Sequence, residues 1–164
     1  MTTLERLART LTESLSLTQP PVGIAFSETV PPGVPRYTGT APAGCRFWQE
    51  ATHSVFATVP QDHELCAIGV YTHHLESPAS VQTDLQDVLK VCGELGYVRQ
   101  EDIPLIPVLQ REPKVVVYGP LASMPVPPDV VLLFAKADQT LILSEASQQL
   151  EHALPPALGL IWMC

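Results

Sequence analysis

Proline is the residue that most constrains how this chain can fold. Seventeen of its 164 residues are prolines, about twice the average share of near 5%. Each proline fixes φ and lacks a backbone N–H, so it interrupts helices and the interior of sheets. The pair Pro20 and Pro21 follows an N-terminal helical pattern, and the pair Pro155 and Pro156 follows the last one. The chain must therefore consist of short helices and strands that fit between proline-containing loops.

The N-terminal pattern is that of a capped amphipathic helix. Thr2 and Glu5 have the spacing of a capping box, and apolar residues between 4 and 15 recur at steps of three and four. Alternating apolar residues over 22–26 then predict a strand. Residues 30–44 are rich in proline, glycine and threonine, which is typical of a loop.

The rest of the chain alternates between helical and extended patterns. These patterns predict helices over 45–51, 65–75, 81–95 and 139–154, and strands over 54–59, 114–121 and 128–135. Cys92 falls on the apolar side of its helix, so we expect it to face the core. The alternation indicates an α/β or α+β fold in which a mixed β-sheet is covered by helices. Because domains most often have about 100–150 residues, we expect residues 1–164 to form a single domain.

Charge and hydropathy narrow the classes of partner. The formal net charge is −8 and no run of basic residues occurs, so nucleic acid and anionic membranes would be repelled. The longest apolar run, at 130–135, is far shorter than the roughly 20 residues that span a bilayer. Charged residues among the first leucines interrupt the apolar core that a signal peptide needs. We therefore expect a cytoplasmic protein that binds neither nucleic acid nor membrane.

Five short motifs follow one another along the chain: LTQPPVGIAF, CRFWQEA, PQDHELCAIG, YGPL and PDVVLLFAKADQTLILSEA. In this order they resemble an uncharacterised prokaryotic family, a domain of unknown function labelled ArCR, from about Leu15 to about Ala146. The resemblance implies that the chain carries the family's Cys-x-x-Trp element and its acidic-His-x-x-Cys element. The residues at these positions are Cys45, Trp48, Asp62, His63 and Cys66. No activity follows from the resemblance.

The C-terminus departs from the pattern that the resemblance implies. Members of the family usually continue with further strands and a glycine-flanked cysteine, whereas this chain ends at LPPALGLIWMC. The resemblance thus implies a truncated or naturally shortened version of a longer domain. The tail after His152 is apolar and uncharged, and an uncovered sheet edge or apolar patch tends to be buried by self-association. We therefore expect a homodimer or higher homo-oligomer with this tail at or near the interface.

The segment 45–75 carries the candidate chemistry, because it holds two of the four cysteines and four of the five histidines. Thiolate and imidazole are ligands that suit zinc, iron and iron–sulfur centres. Cys66 is expected near the start of the helix over 65–75, where the helix dipole stabilises a thiolate. We hypothesise that Cys45 and Cys66, with His63, bind a transition metal or an iron–sulfur cluster.

Adjacent histidines constrain such a site. His73 and His74 follow each other in the helix over 65–75, and neighbouring residues on a helix point about 100° apart. Both cannot face one metal ion. At least one of them is expected at the surface or at the helix end.

Two other interpretations of these residues stay open. Free cysteines are often small buried hydrophobic residues, so Cys45 and Cys66 could be structural in a metal-free domain that binds a small molecule or another protein. The loop 31–44 would then line the pocket or the partner surface.

Asp62, His63 and Cys66 also have the residue types of a nucleophilic site, although sequence neighbours rarely form a working triad. The sequence leaves open whether the protein is an enzyme.

Overall fold

The computed structural model describes residues 1–41, 44–76, 79–97 and 99–151. Within these ranges lie five α-helices and four strands: α1 Thr3–Leu15, β1 Val22–Ser27, α2 Gly44–Glu50, β2 Phe56–Thr58, α3 Ala67–Thr72, α4 Ala79–Glu94, β3 Val115–Pro120, β4 Val130–Leu132 and α5 Ala137–Glu151. Short 3-10 helices cover Pro60–His63, Gln100–Leu105 and Leu121–Ser123. Each helix and strand predicted from the sequence has a counterpart, and β2, α3 and β4 are shorter than the patterns indicated. Residues 152–154 of the last predicted helix lie outside the described residues.

The four strands form one sheet in the order β2-β3-β1-β4, and all three strand pairings are antiparallel. β3 pairs with β1 over its whole length and with β2 on its other side. An isolated parallel bridge joins Arg36 to Ala57 at the β2 edge. The expected α/β or α+β class, with a β-sheet covered by helices, is confirmed. The sheet was expected to be mixed, but its three strand pairings are antiparallel, which makes α+β the better of the two descriptions.

The alternation of side chains along β3 divides the core into two clusters, one on each side of the sheet. We call the first the aromatic face. Its buried members are Val22, Ile24, Ala41, Phe47, Ala51, Phe56, Val70, Leu75, Val81, Val116 and Tyr118. We call the second the aliphatic face. Its buried members are Ala25, Ala57, Val115, Val117 and Met124. Helices α2, α3 and α4 supply residues to the aromatic face, whereas Leu4 of α1 packs against the aliphatic face.

The capping box predicted for α1 is confirmed. The backbone N–H of Thr2 donates to a carboxylate oxygen of Glu5 at 2.6 Å, and the N–H of Glu5 donates to the Thr2 hydroxyl at 3.1 Å. The helix ends at Ser16, whose φ of 52° lies in the left-handed region. Both ends of this helix are therefore fixed by local interactions that the sequence encodes.

Helix α4 packs differently from the expectation. Val81 in its first turn is 1% exposed, but Val91 near its C-terminal end is 50% exposed. Cys92 is only partly buried, so the expectation that it faces the core is wrong. α4 contacts α3, but Val88 and Val91 in its C-terminal half are 39% and 50% exposed. The physical reason is therefore that the apolar side of this half stays largely uncovered among the described residues.

Two further expectations concern parts of the chain that the structure does not describe completely. In the part of the chain that the structure describes, no helix is both long and apolar enough to cross a membrane. The C-terminal tail, with Cys164, lies outside the described residues. Its expected place at an oligomer interface therefore stays a prediction.

Candidate functional site

The candidate site lies in the aromatic face, around the ring of His63. Phe47 and Tyr118 flank this ring, with ring centres 4.8 and 6.3 Å from that of His63. Phe56 stacks on Tyr118 at 5.6 Å. Both His63 and Tyr118 are almost completely buried, at 1% and 0% exposure. A titratable ring is thus enclosed by hydrocarbon, which favours its uncharged form.

A short 3-10 turn brings His63 into this position. Pro60 begins the turn, and the Asp62 carboxylate accepts a hydrogen bond from the backbone N–H of Val59 at 2.8 Å. The same carboxylate forms an ion pair with Arg36 at 3.3 Å. Asp62 therefore stabilises the turn from outside, while His63 points inward. The acidic residue of the acidic-His-x-x-Cys element has a structural role here.

The hydrogen bonds of His63 fix which of its nitrogens carries a proton. Its Nε2 lies 2.8 Å from the Thr58 hydroxyl, and that hydroxyl donates its single hydrogen to the Val116 carbonyl at 3.2 Å. Since a carbonyl can only accept, the Thr58 oxygen accepts from Nε2–H of His63. Burial, with a smaller contribution from His73, lowers the pKa of His63 to about 3. The imidazole is therefore neutral near pH 7, and its Nδ1 carries a free lone pair.

That Nδ1 belongs to a group of buried polar atoms that find no hydrogen-bond partner in the described residues. They are Nδ1 of His63, Nδ1 of His73, the hydroxyl of Tyr118 and the indole N–H of Trp48. The first three belong to neighbouring rings, because the His63 ring centre lies 6.2 Å from that of His73 and 6.3 Å from that of Tyr118. Native cores satisfy nearly all such groups. Their concentration around one histidine marks this place as unusual.

His73 lies at the C-terminal end of α3, between the core and the surface. Its ring packs edge-on against Phe26 at 5.2 Å, and burial lowers its pKa to about 4. The next residue, His74, is bound at the surface: its Nδ1 donates to the Leu109 carbonyl at 2.9 Å and its Nε2 pairs with Glu112 at 3.2 Å. The expected divergence of the two histidines is confirmed, and only His73 reaches the core.

Cys66 sits in a narrow space between two glycines. It is the N-terminal cap residue of α3, as expected, and is 6% exposed. A Cβ atom placed on Gly44 or on Gly69 would lie 3.0 or 2.8 Å from its sulfur. The thiol also lies near Tyr118, whose pKa is raised by burial and, to a smaller extent, by the charge of Cys66. The absence of side chains at both glycine positions is thus what gives the sulfur its place beside the aromatic face.

Cys45 occupies a different environment. It follows Gly44 in α2 and is partly exposed, and Cys45, Cys66 and Cys92 are all free thiols. Among the described residues, no three His, Cys, Asp or Glu side chains are arranged so that they could hold a metal ion. The expected ligands Cys45, Cys66 and His63 therefore form no ready-made set of this kind. Sequence reasoning did not identify Tyr118 or Thr58, for which the only local signal is a polar residue within a strand.

Two surface cavities lie apart from His63. One of about 300 Å³ is lined by Gln19, Gln49, Thr52, His53 and Phe134. Another of about 180 Å³ is lined by Gly39, Thr40, Ala41, Gln61, Asp62, Glu64 and Leu65. The second receives residues from the loop 31–44, which the sequence suggested as the lining of a pocket.

Comparison with known proteins gives one result. The model of a family described as uncharacterised ArCR (DUF169) matches residues 10–152. Neither the curated proteins nor the solved structures contain a match. The fold and the site are therefore interpreted from the chain's own residues.

Proposed function

The chain belongs to the uncharacterised ArCR family (DUF169), and we propose that it binds one transition metal ion in its core through Nδ1 of His63. The tautomer of His63 carries this proposal: Thr58 accepts from Nε2–H, which leaves Nδ1 unprotonated, buried and without a partner. Histidines that bind metals commonly donate their other N–H to an oxygen atom that fixes the ring. Thr58 supplies that support here.

The donors around His63 favour a single ion over an iron–sulfur cluster. Such clusters are held mainly by several cysteine thiolates, whereas Cys45 is partly exposed and Cys66 is buried. Imidazole nitrogen suits zinc, copper, iron and nickel ions. Binding by Cys45 and Cys66 stays a prediction, and the proposal rests on His63.

Titration of the metal-free protein with Zn²⁺, Co²⁺ and Cu²⁺ by calorimetry tests the proposal. His63→Ala should weaken binding at least about tenfold, and Thr58→Val should weaken it about 10–100-fold because the orientation of the imidazole is lost. His74→Ala is the matched control, since both nitrogens of His74 already have partners, and its affinity should be unchanged. Absence of uptake of these three ions and of Fe³⁺, or equal affinity of the His63→Ala variant, would show the proposal to be wrong.

Binding of a small molecule without metal is a second candidate function. It is supported by the 180 Å³ cavity that the loop 31–44 helps to form, in which the carboxylate of Glu64 favours a cationic ligand. Ligand-observed NMR with small primary amines tests it. Binding that disappears in Glu64→Gln, while metal uptake is unchanged, would support this function; no binding of any amine would exclude it.

We also propose that the protein self-associates. Exposed apolar side chains on β4 and α5 support this, with Val130 at 41%, Leu141 at 60% and Ile142 at 52% exposure. Sedimentation at micromolar concentration should show a dimer or larger species. Leu141→Lys should shift the distribution toward monomer, and a monomeric wild-type protein would refute the proposal.

A further inference from the structure

We propose that His73 and Tyr118 complete the site of His63, so that the core holds an Fe³⁺ or Cu²⁺ ion with two imidazoles and one phenolate. The inference rests on the proposed function and names its ligands and the class of ion. The proposed ligand set does not include Cys45 or Cys66. The set contains a tyrosine, so it differs in kind from sets made only of His, Cys, Asp and Glu.

The distances from the His63 ring to each of the other two rings fit one shared ion. Two imidazoles with metal–nitrogen bonds of about 2.0–2.1 Å place their ring centres roughly 5–6 Å apart. The centres of His63 and His73 are 6.2 Å apart, so a small approach of the rings brings them into range. A phenolate oxygen lies outside its ring, which makes the ring-to-metal distance longer than for imidazole. The 6.3 Å between His63 and Tyr118 agrees with that longer reach.

The burial of the donor atoms gives a second, independent observation. Nδ1 of His63, Nδ1 of His73 and the Tyr118 hydroxyl are each buried without a hydrogen-bond partner. His63 and Tyr118 are also more than nine-tenths buried as whole residues. Three unpaired polar atoms on neighbouring rings are costly for a metal-free core. One cation bound by all three would satisfy them together.

The chemistry of the set selects the ion. Each imidazole binds as a neutral donor through the lone pair of Nδ1, which the hydrogen bond from Nε2–H of His63 to Thr58 leaves free on that ring. The phenol binds as phenolate: its O–H bond breaks, a metal–oxygen bond forms, and one proton passes to solvent without any change of oxidation state. A phenolate oxygen together with imidazole nitrogens suits Fe³⁺ and Cu²⁺. Structural zinc sites and iron–sulfur clusters are instead richer in thiolate ligands.

His73 also provides the route of entry. It is only partly buried and lies at the end of α3, whereas His63 and Tyr118 are enclosed. Rotation of the His73 ring away from Phe26 would open the cluster to solvent. The proposed order of binding is therefore His73 first and His63 with Tyr118 second.

The test uses the full chain with CuCl₂ and, separately, Fe³⁺ added as its nitrilotriacetate complex. Each bound ion should produce a visible phenolate-to-metal charge-transfer band. Binding of Cu²⁺ from CuCl₂ should also release one proton, measured with a pH indicator in weak buffer, whereas the Fe³⁺ experiment is read by the band alone because released nitrilotriacetate takes up a proton. Tyr118→Phe should abolish the band and proton release while weaker binding remains, and His73→Gln should lower affinity at least about tenfold. Tyr37→Phe is the matched control, because Tyr37 packs on Phe47 and Phe56 in the same face, and it should keep the band.

The outcomes separate the two proposals. An ion that binds through His63 without the band and without proton release overturns this inference and leaves the proposed function in place. A band that persists in Tyr118→Phe also overturns it. Absence of any uptake removes both proposals. Because proton release is measured on the wild-type protein, the test does not depend on the folding of the Tyr118→Phe variant.

Discussion

Successive residues of β3 point to opposite sides of the sheet, yet the two sides differ in chemistry. On the aliphatic face, Val115 and Val117 pack among small apolar side chains that carry no polar atom needing a partner. On the aromatic face, Val116 and Tyr118 share their layer with His63, and polar atoms there have no hydrogen-bond partner among the described residues. The aliphatic face shows that this sheet can be covered without such groups. The polar atoms of the aromatic face are the observation on which the proposed metal site rests.

Acid should distinguish the two faces most strongly. The pKa values of His63 and His73 are lowered to about 3 and about 4 by burial, against about 6.5 in an unfolded chain. Below about pH 6.5 the unfolded state binds more protons, so the free energy of unfolding should fall by about 1.4 kcal/mol per pH unit for each histidine. Urea titrations between pH 7 and pH 4.5 measure this loss. His73→Asn should make the slope shallower by one proton, and an unchanged slope would show that His73 is not buried in its neutral form.

The next largest loss of stability is expected when a large buried side chain is removed. Phe47 is 1% exposed and contacts the rings of both His63 and Tyr118, so Phe47→Ala should cost about 3–5 kcal/mol. On the aliphatic face, Met124→Ala should cost about 2–5 kcal/mol, toward the lower end because Met124 is 8% exposed. Denaturant titration measures both. Only Phe47→Ala should also impair metal binding, and equal impairment by both variants would contradict the assignment of the site to one face.

The space around Cys66 can be tested by a pair of substitutions. Gly69→Ala places a methyl group 2.8 Å from the Cys66 sulfur, and such overpacking costs about 1–3 kcal/mol. Cys66→Ala removes the sulfur, so the double variant should recover most of that cost. Thermal unfolding of the two single variants and the double variant forms a complete cycle. Strict additivity would show that sulfur and glycine do not contact each other.

Tyr118→Phe should change the stability of the metal-free protein in the opposite direction. The hydroxyl is buried without a partner, so removing it from the metal-free protein should stabilise the fold by about 1 kcal/mol. A higher melting temperature of the metal-free variant, combined with loss of the charge-transfer band, would separate stability from function at one atom. Destabilisation of similar size would mean that the hydroxyl has a partner in solution.

The smallest effect is expected at the surface. His74 pairs with Glu112, whose side chain is 77% exposed, and exposed ion pairs contribute about 0–1 kcal/mol. Glu112→Gln should therefore change the midpoint of urea unfolding by less than any substitution above. A loss as large as that of Phe47→Ala would show that the segment around Leu109 is held by this pair.

The sequence predicted the secondary structure well where the signal was local. The capping box of α1 involves two residues three positions apart. Strand β1 follows from alternating apolar residues, and β3 follows from a run of β-branched residues. The position of Cys66 at a helix start was predicted for the same reason. Cys92 was placed wrongly because its exposure depends on whether another element covers the C-terminal half of α4, and no local pattern carries that information.

The candidate site required the tertiary structure, because its parts are distant in sequence. Thr58 and Val116, which fix the tautomer of His63, are separated by 58 positions, and Tyr118 lies in a strand outside the segment 45–75. The sequence by itself determined the residue types, the elements and the segment 45–75 as the place where polar groups concentrate. Only the packing of α3 against the sheet decided that His73 and not His74 meets His63. The geometry of a helix fixes the direction in which each side chain points. Which of these directions faces the core depends on what the helix packs against.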